Sequence, residues 1–396
     1  MQILYLANAR IPTEKAHGLQ IVKMCEAFAR QGVDVELVVP FRQQSEQMRQ
    51  VESLWEYYDV TTTYPIKRLP SPDFIRYDRY LPARIMTLLY MLQSLLFAIM
   101  ASVTTRKAEG VYYTRDWYAL FVLAIMKRWH GKPIFFEAHE MHGASHAKLL
   151  TWLLRRGNGL IVITQALQTY YAQFGVAAEQ IIVAADGLDQ RRLTPQISRD
   201  AARTELDLSL TSKIVCYTGH LFRWKGVYTL AEAMRHLPED YRLYIIGGMT
   251  KDRQALQQFI AEQHLPRITL IEHVPYHAVP RYLAAADVLA LPNSAEQAIS
   301  RDCTSPLKLF EYMAAQRPIV ASDLPSLREV LRHEQNAYLV TPDQPHALAN
   351  GIQHVLNDQT LRTRIVETAY TDVQAFTWDG RAKNILAFLR TAIHAN

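Results

Sequence analysis

The stretch from Ser305 to Ala315 has the residue types and spacing of a helix start that binds an anion. Ser305 is a preferred N-cap residue, and Pro306 suits the first helical position, where a backbone N–H is not needed. The amides of Leu307 and Lys308 would then lack intrahelical partners and would point out of a positively polarised helix end. A phosphate is a natural ligand for such a helix start.

Two charged side chains lie in the first turns of the same predicted helix. Lys308 adds a full positive charge beside the expected phosphate. Glu311 follows three residues later on the same face, where its carboxylate can accept hydrogen bonds from two neighbouring sugar hydroxyls, such as those of a ribose. An ordinary capped helix in an α/β domain would show much of this pattern, because cap signals occur in most helices.

A second stretch, Thr218 to Gly226, also favours a phosphate ligand. Gly219 and Gly226 allow close approach of the backbone to a ligand, while Arg223 and Lys225 supply two cations. Fixed cations stabilise the charge that grows on a departing pyrophosphate. Alone this could be a basic surface loop, but beside the helix start described above it predicts a two-part diphosphate clamp.

Two further candidate positions follow predicted buried strands. Gly248 closes a Gly-Gly pair and suggests close backbone approach to a ligand, although the spacing for dinucleotide binding is absent. His139 lies at the carboxyl end of its strand, where ligands bind in parallel sheets, and a structural histidine is the alternative. Its neighbours Glu140, His142 and His146 do not form an HExxH motif, so we expect no metal site.

Composition is that of a globular protein, with 49% hydrophobic and 20% charged residues in 396 positions. Residues 1–185 hold 20 Lys and Arg against 15 Asp and Glu, so they carry the whole net charge of +5. This mild excess suits an anionic ligand or membrane surface and does not require nucleic acid. Three distant cysteines give no disulfide framework, and no secretory signal is recognisable, so we expect a cytoplasmic protein without a cofactor.

Short apolar runs alternate with helical patterns along the chain, which indicates two doubly wound parallel sheets of the α/β class. In the first half we predict strands at 2–7, 33–39, 110–113, 133–136, 159–163 and 180–184. In the second half we predict strands at 213–217, 241–246, 268–271, 288–291 and 319–321.

A segment rich in turn formers and charge, residues 186–199, marks the expected domain boundary. We expect one Rossmann-like domain at 1–190, a second at 191–375, and a final helical segment at 376–396. Two domains of this type usually face each other across a ligand cleft.

Residues 85–103 contain no charged side chain and follow a segment rich in Arg and Tyr. Their length just reaches that of a membrane span, but the run lies inside an α/β domain and polar residues interrupt it. We expect a helix buried against the sheet. The alternative is that residues 74–103 lie partly in the interface of an anionic membrane, since Tyr and Phe beside Arg suit that zone.

Three stretches of the sequence and its ending together resemble glycosyltransferase family 4, which comprises retaining enzymes of the GT-B fold. The segment from Asn8 to Gly18 is similar to the family's glycine-bearing acceptor loop, and Gly219 to Gly226 is similar to its lysine-glycine phosphate motif. Ser305 to Ala315 resembles its nucleotide-sugar helix, and residues 376–383 resemble its last helix, which crosses back to the first domain.

The resemblance implies a GT-B fold, a nucleotide-diphosphate sugar donor bound mainly by the C-terminal domain, and transfer without metal. It implies that Lys225 contacts the diphosphate, that Glu311 contacts the ribose and that His139 lies near the reacting sugar. The acceptor would bind on the N-terminal side, with Gly18 in its loop. A glycan or lipid-linked hydroxyl is the expected acceptor, and the cytoplasmic face of a membrane is a possible location.

Two positions depart from the family's pattern. The family often has a glutamate eight residues before the position of Glu311, and this sequence has Cys303, which cannot accept sugar hydroxyls as a carboxylate does. The neighbouring Asp302 should point elsewhere. The family also commonly has arginine after the first glycine of the phosphate motif; here it is His220, and Arg223 is expected to supply the cation.

These observations predict a retaining glycosyltransferase acting in glycan, exopolysaccharide or glycolipid synthesis. Two alternatives stay open at this point. The cysteine at position 303 is compatible with a catalytically weak nucleotide-sugar-binding subunit that needs a partner. A GT-B sugar-nucleotide epimerase would use the same donor site without an acceptor.

Overall fold

The structure is a computed structural model that describes residues 1–77, 80–142, 147–194, 197–265 and 267–394. The chain forms two compact units. Unit 1 comprises Met1–Ala185 with Trp378–Asn396, and unit 2 comprises Asp186–Thr377. These divisions lie within five residues of the boundaries expected from the sequence, at 190 and 375.

Unit 1 is built on a seven-stranded parallel sheet in the order β3-β2-β1-β4-β5-β6-β7. Its strands are β1 (Gln2–Leu6), β2 (Asp34–Phe41), β3 (Ile66–Pro70), β4 (Val111–Thr114), β5 (Ile134–Ala138), β6 (Gly159–Val162) and β7 (Ile181–Val183). Its helices before the crossing to unit 2 are α1 (Ala16–Arg30), α2 (Glu46–Arg49), α3 (Leu54–Tyr57), α4 (Ala83–Thr104), α5 (Trp117–Ile125), α6 (Lys127–His130), α7 (Ala147–Arg156) and α8 (Gln165–Ala172). The inner strands are continuous apolar runs because helices cover both faces of such a sheet.

Unit 2 contains a six-stranded parallel sheet in the order β10-β9-β8-β11-β12-β13. Its strands are β8 (Lys213–Thr218), β9 (Tyr241–Ile246), β10 (Ile268–Ile271), β11 (Val288–Leu291), β12 (Ile319–Ser322) and β13 (Tyr338–Val340). Its helices are α9 (Arg199–Glu205), α10 (Val227–Ala233), α11 (Thr250–Glu262), α12 (Val279–Ala285), α13 (Ala298–Arg301), α14 (Leu307–Ala314), α15 (Pro325–Arg328), α16 (Pro345–Asn357) and α17 (Gln359–Val373). The predicted α/β class with two doubly wound sheets is confirmed.

The strand order of each sheet reverses direction once, and this reversal locates the expected ligand edge. In unit 1 the reversal lies between β1 and β4, and in unit 2 between β8 and β11. Ligands of doubly wound sheets bind outside the carboxyl ends of the strands at such a switch point.

The last helix, α18 (Trp378–His394), belongs to unit 1 although it follows unit 2 in the sequence. It packs along α1, where the side chain of Arg30 pairs with Asp379 at 2.8 Å. Its Arg381 is buried and donates from Nε to the carbonyls of Ala184 and Ala185, the last residues before the chain enters unit 2. Arg381 therefore anchors α18 to the end of the segment that leads into unit 2.

We expected helix α4 to be buried against the sheet, and the structure buries only one of its faces. Its buried residues, such as Phe97, Ala98 and Ala101, face unit 1, whereas a long opposite stripe is exposed. The exposed large apolar side chains are Ile85, Leu88, Tyr90, Met91, Leu92, Leu96, Ile99 and Val103. By length and composition the helix could also cross a membrane, with a third of its most apolar window buried. Residues 78 and 79 of the preceding Arg- and Tyr-rich segment lie outside the described residues.

Candidate functional site

The candidate site in unit 2 lies at the sheet's switch point, in the loop between β8 and α10. Gly226 has φ +72°, and a Cβ on it would lie 1.7 Å from the carbonyl oxygen of Pro292, just beyond β11. No side chain fits there, so glycine is required for the loop to pack against the end of β11. This packing fixes the position of Lys225, the residue before it.

Lys225 and Lys308 bring two positive charges to this edge of the sheet. Lys308 is 8% exposed, and its Nζ is buried without a hydrogen-bond partner among the residues that the structure describes. It reaches the end of β8, because a Cβ on Gly219 would lie 3.1 Å from its Nζ. Aromatic faces support both ammonium groups: Lys308 Nζ lies 3.6 Å from the ring centre of Tyr217 and Lys225 Nζ 3.9 Å from that of Trp224.

The pKa values of the two lysines show how costly this arrangement is without a ligand. Burial lowers the pKa of Lys225 to about 7. Burial also lowers the pKa of Lys308 well below its usual range, the charge of Lys225 lowers it further, and Glu311 opposes the shift only in part. The charge of the half-buried Lys225 disfavours that of the buried Lys308, and an anion bound beside both would favour the charged form of each.

Helix α14 begins one residue later than the sequence indicated. Its first helical residue is Leu307, and Pro306 occupies the N-cap position without a side-chain cap. The expected capping role of Ser305 is therefore wrong: its hydroxyl instead accepts a hydrogen bond from the backbone N–H of Asp186 at 3.3 Å. The helix is held against β8 by Tyr312, whose hydroxyl accepts from the backbone N–H of Thr218 at 2.8 Å.

Glu311 lies one turn into α14, half-buried beside Arg192 and Tyr276. Burial raises the pKa of Glu311, while Arg192, a hydrogen bond from the Tyr276 hydroxyl and Lys308 oppose that rise. The guanidinium of Arg192 lies 4.2 Å from the ring centre of Tyr276 and donates to its carbonyl oxygen at 3.2 Å. Glu311 and Arg192 also line a pocket of about 90 Å³, whose walls include Val279, Pro280 and Leu283.

The other two residues predicted for the site in unit 2 are Arg223 and Gly248. Arg223 is exposed, and its guanidinium lies 4.6 Å from the ring centre of Tyr228. Gly248 has φ +79° and its carbonyl accepts from Arg253 at 3.1 Å, so it forms part of a turn next to Leu221.

The structure also shows where the two departures from the family pattern, Cys303 and His220, lie. Cys303 is buried, with 2% of its surface exposed. Asp302 pairs with the guanidinium of its neighbour Arg301 at 2.8 Å, as expected for a side chain that points elsewhere. His220 stacks on Phe222, with ring centres 5.1 Å apart.

The candidate residues of unit 1 are His139 and Gly18. The Nε2 of His139 lies 2.6 Å from a carboxylate oxygen of Glu137, which is fully buried at the end of β5. Gly18 lies in the first turn of α1, where a Cβ would lie 2.3 Å from Thr13 Cγ2 and 2.6 Å from the Tyr58 hydroxyl. Glycine at this position therefore meets a packing requirement inside unit 1.

Several residues of these clusters were missed from the sequence, among them Arg192, Tyr276, Glu137 and Arg381. Glu137 was within reach of sequence analysis, because a glutamate inside an otherwise apolar strand needs a buried partner. Arg381 gave no local signal, since its partner lies 244 residues away.

Among the residues that the structure describes, no group of three or more His, Cys, Asp and Glu is placed to hold a metal ion. His146, one of the four residues weighed as metal ligands, lies outside the described part of the chain.

Comparison with known families covers most of the chain. The family described as "Glycosyltransferase Family 4" matches residues 18–192, and the family described as "Glycosyl transferases group 1" matches residues 198–372. The chain belongs to glycosyltransferase family 4. The two matches meet within the turn-rich segment predicted as the domain boundary.

Curated relatives of this family 4 chain are similar over part of their length. A D-inositol 3-phosphate glycosyltransferase of Xylanimonas cellulosilytica is 29% identical over 54% of this chain and 52% of its own. The phosphatidyl-myo-inositol mannosyltransferase of Mycobacterium leprae is 25% identical over 65% of this chain and 74% of its own. The chain spans about half the length of the first curated relatives that it matches.

Solved structures show the same fold over the whole family 4 chain. Sucrose-phosphate synthase from Thermosynechococcus elongatus has a TM-score of 0.80 at 20% identity, with both chains fully covered. Anabaena HepE, solved in complex with UDP and glucose, has a TM-score of 0.76 at 20% identity over 99% of this chain and 100% of its own. The predicted GT-B fold is confirmed.

Proposed function

We propose that this protein transfers a sugar from a nucleotide-diphosphate sugar to a hydroxyl group, with retention of the anomeric configuration and without a metal ion. The acceptor would be a glycan or a lipid-linked saccharide. Family membership supports the reaction class, and the two lysines at the switch point of unit 2 support the donor class.

The observation that carries the proposal is the burial of Lys308, whose Nζ has no hydrogen-bond partner among the residues that the structure describes. Burying an ammonium group that Glu311 compensates only in part is unfavourable, so such a group is expected where a ligand supplies a further negative charge. Lys225 faces the same place, and the first amides of α14 add a positively polarised helix start. A diphosphate, with two linked anionic groups, is complementary to two cations and a helix end.

Lys308 also accounts for the departure at His220. The family commonly has an arginine there, and Lys308 Nζ reaches the neighbouring Gly219 instead. We therefore assign the two inner cations to Lys225 and Lys308. Arg223, exposed on the loop, would act at longer range by attracting the donor.

In the proposed mechanism the protein stabilises the leaving group and uses no nucleophile of its own. The bond between the anomeric carbon and the diphosphate breaks, and Lys225 and Lys308 stabilise the negative charge that develops on the diphosphate. The acceptor hydroxyl attacks the resulting oxocarbenium-like sugar from the same face and gives its proton to the departing phosphate oxygen. His139 would contact the reacting sugar, and the carboxylate of Glu311 would accept hydrogen bonds from the ribose.

A donor panel tests the proposal directly. UDP-, GDP- and ADP-sugars would be screened by thermal shift, starting with UDP-glucose because HepE was solved with UDP and glucose. A ligand at 100 times its dissociation constant stabilises the folded protein by about 2.7 kcal/mol. The matching donor should raise the melting temperature of the wild type but not of Lys225→Ala.

Turnover then separates the enzyme from the alternatives. With an acceptor, NMR of the product should show the anomeric configuration of the donor, and EDTA should not change the rate. Binding without turnover would instead indicate a subunit that needs a partner, and interconversion of donors without acceptor would indicate an epimerase.

We also propose that unit 1 binds the surface of an anionic membrane, which would place the protein at the cytoplasmic face. The exposed apolar stripe of α4 supports this, because soluble surfaces rarely leave such a long contiguous row of large apolar side chains uncovered. Helix α7 adds the exposed Trp152 and Leu149 beside Lys148 and Arg155, a pairing of aromatic and basic residues that suits a membrane interface.

Liposome flotation tests this surface. Leu88→Glu with Leu92→Glu should abolish flotation with vesicles that contain anionic lipid. Leu210→Glu is the matched control, since Leu210 is 55% exposed but lies in unit 2. If the wild type fails to float with both anionic and neutral vesicles, the membrane assignment is wrong.

A further inference from the structure

The end of β5 in unit 1 carries a charged side chain that no sequence motif assigned. Glu137 is the fourth residue of this five-residue strand and is fully buried. Residues two apart in a strand point to the same face, so Glu137 and His139 leave the sheet edge on one side. The candidate histidine is therefore the immediate neighbour of a buried carboxylate.

Four donors from separate parts of unit 1 converge on this carboxylate. Oε1 lies 2.6 Å from Gln20 Nε2, 2.6 Å from His139 Nε2 and 2.9 Å from a terminal nitrogen of Arg381. Oε2 accepts a hydrogen bond from the Tyr113 hydroxyl. The donors come from α1, the end of β5, α18 and β4, so the carboxylate joins four elements.

The charge state of Glu137 follows from these contacts. Burial alone would raise the pKa of its carboxyl group, but the charge of Arg381, the hydrogen bond with His139 and the charge of Arg115 outweigh burial, so its pKa lies well below the usual range. An ionised carboxylate can only accept hydrogen bonds. The His139 nitrogen that faces it, Nε2, must therefore carry a hydrogen.

The side-chain amide of Gln20 is also held in one orientation by its hydrogen bonds. Its Nε2 donates to Glu137, and its Oε1 accepts a hydrogen bond from a terminal nitrogen of Arg115. The amide therefore cannot rotate to present its oxygen to Glu137 without losing both contacts. The hydrogen bonds of this network are therefore satisfied in one arrangement, in which all four neighbouring groups donate to the Glu137 carboxylate.

We propose that Glu137 is a positioning residue for His139, holding the imidazole with its Nε2–H directed at the carboxylate. The orientation of the ring and the identity of its protonated nitrogen would both be set before any ligand binds. Arg381, which Glu137 also contacts, keeps the carboxylate ionised. The catalytic consequence rests on the proposed function, in which His139 contacts the reacting sugar, whereas the assigned hydrogen position does not.

The first experiment needs no variant. Two-bond ¹⁵N–¹H correlation spectra of ¹⁵N-histidine-labelled protein distinguish the two neutral tautomers of each imidazole. The His139 signal is assigned by its loss in His139→Gln. We expect His139 to carry its hydrogen on Nε2 at pH 8 without ligand. A hydrogen on Nδ1 would overturn the proposal, even if no variant of Glu137 folds.

The second experiment compares Glu137→Gln with Glu26→Gln. Glu26 is an equally buried carboxylate of unit 1, paired with Lys23 at 2.9 Å and Arg30 at 3.0 Å. The substitution removes the same charge in both variants, but only at position 137 does it remove the partner of His139. A glutamine at 137 offers one acceptor oxygen to four donors, so the imidazole competes for it.

We expect Glu137→Gln to lower kcat by about 10–100-fold with little change in KM for the donor, because a misplacement of about 1 Å in a group that contacts the reacting sugar can cost about 100-fold. Its His139 spectrum should change tautomer, while Glu26→Gln should keep the wild-type His139 spectrum and kcat, whatever its stability. Equal loss of kcat in both variants, or an unchanged His139 tautomer in Glu137→Gln, would overturn the proposal. If the wild type turns over no donor, the proposed function fails, and the spectra still test the hydrogen position.

Discussion

Glu137 in unit 1 and Lys308 in unit 2 are both buried charges at the carboxyl edge of a parallel sheet, yet their surroundings are opposite. Glu137 accepts hydrogen bonds from four donors of its own unit, including the guanidinium of Arg381. Lys308 has no hydrogen-bond partner among the described residues, and its charged neighbour Lys225 repels it. The protein itself compensates the charge of Glu137, whereas the charge of Lys308 would be compensated by a bound ligand.

The difference between these two buried charges indicates which of them belongs to a binding site. A satisfied buried charge fixes the groups around it and is already in its working geometry. An unsatisfied one lowers the stability of the unliganded protein, and binding of a suitable anion recovers that energy. The first kind positions a side chain, whereas the second selects the charge and size of what binds.

The same substitution at two buried cations should separate these cases most strongly. Arg381→Met removes one partner of a buried pair and should destabilise unit 1 by about 3–5 kcal/mol, because Glu137 is left uncompensated. Lys308→Met removes a charge that has no hydrogen-bond partner among the described residues and that Glu311 compensates only in part, so unit 2 should be as stable as in the wild type or more so. Scanning calorimetry without ligand measures both.

The comparison fails if the two substitutions have similar effects. A large loss of stability in Lys308→Met would mean that the protein itself neutralises this ammonium group. The donor-induced thermal shift of Lys308→Met should be lost in any case, since the inner cation is gone.

Lys225→Ala should give the next largest effect, on the reaction. We expect turnover to fall by about 10²–10³-fold, the range seen when one group that stabilises a developing oxyanion is removed. The melting temperature without ligand should not fall, because the Lys225 side chain forms no ion pair with any residue that the structure describes. Rates near those of the wild type would remove Lys225 from the proposed mechanism.

Local patterns allowed most of the fold to be predicted, and the exceptions are edge strands. The sequence analysis missed β3 and β13, which lie at the outer edges of the two sheets. β3 contains Lys67, Arg68 and a terminal proline, and β13 has three residues. Edge strands tolerate charge and proline because one side of the strand is unpaired, so they lack the continuous apolar run by which inner strands are recognised.

In the candidate site, residues within one motif were predictable and residues joined by tertiary contacts were not. Lys225 was identified because Gly226 follows it in a strand-to-helix loop, and Lys308 and Glu311 share one helix turn. The contact between Glu137 and Arg381 joins residues 244 positions apart, and no local signal marks Arg381. The capping role given to Ser305 was wrong because a tertiary contact with Asp186 engages its hydroxyl.

The pH dependence of donor affinity is a smaller effect that examines the same lysines. The pKa of Lys225 is about 7 in the unliganded protein because of burial, and a bound diphosphate would raise it. Above pH 7 the free lysine is largely neutral and must take up a proton to bind, so affinity should fall as the pH rises. The limit is about tenfold per pH unit for each proton taken up.

Titration calorimetry with the matching donor between pH 6.5 and 9 measures this slope. Lys225→Arg is the control, since a guanidinium stays protonated throughout this range and removes one titrating group. The slope should be shallower in Lys225→Arg than in the wild type. An affinity independent of pH in the wild type would show that both lysines stay protonated without a ligand.

Arg223 should give the smallest effect, although the sequence favoured it as a catalytic cation. Its guanidinium is exposed and lies against Tyr228, so solvent and salt screen it, and exposed charges contribute about 1 kcal/mol or less. Arg223→Ala should therefore change kcat/KM by about fivefold or less, and the difference should shrink as salt is added. A loss as large as that of Lys225→Ala, unaffected by salt, would mean that the loop rearranges around the donor and that Arg223 is an inner cation. The contrast between the exposed Arg223 and the half-buried Lys225 of the same loop would then depend on the ligand rather than on the fold.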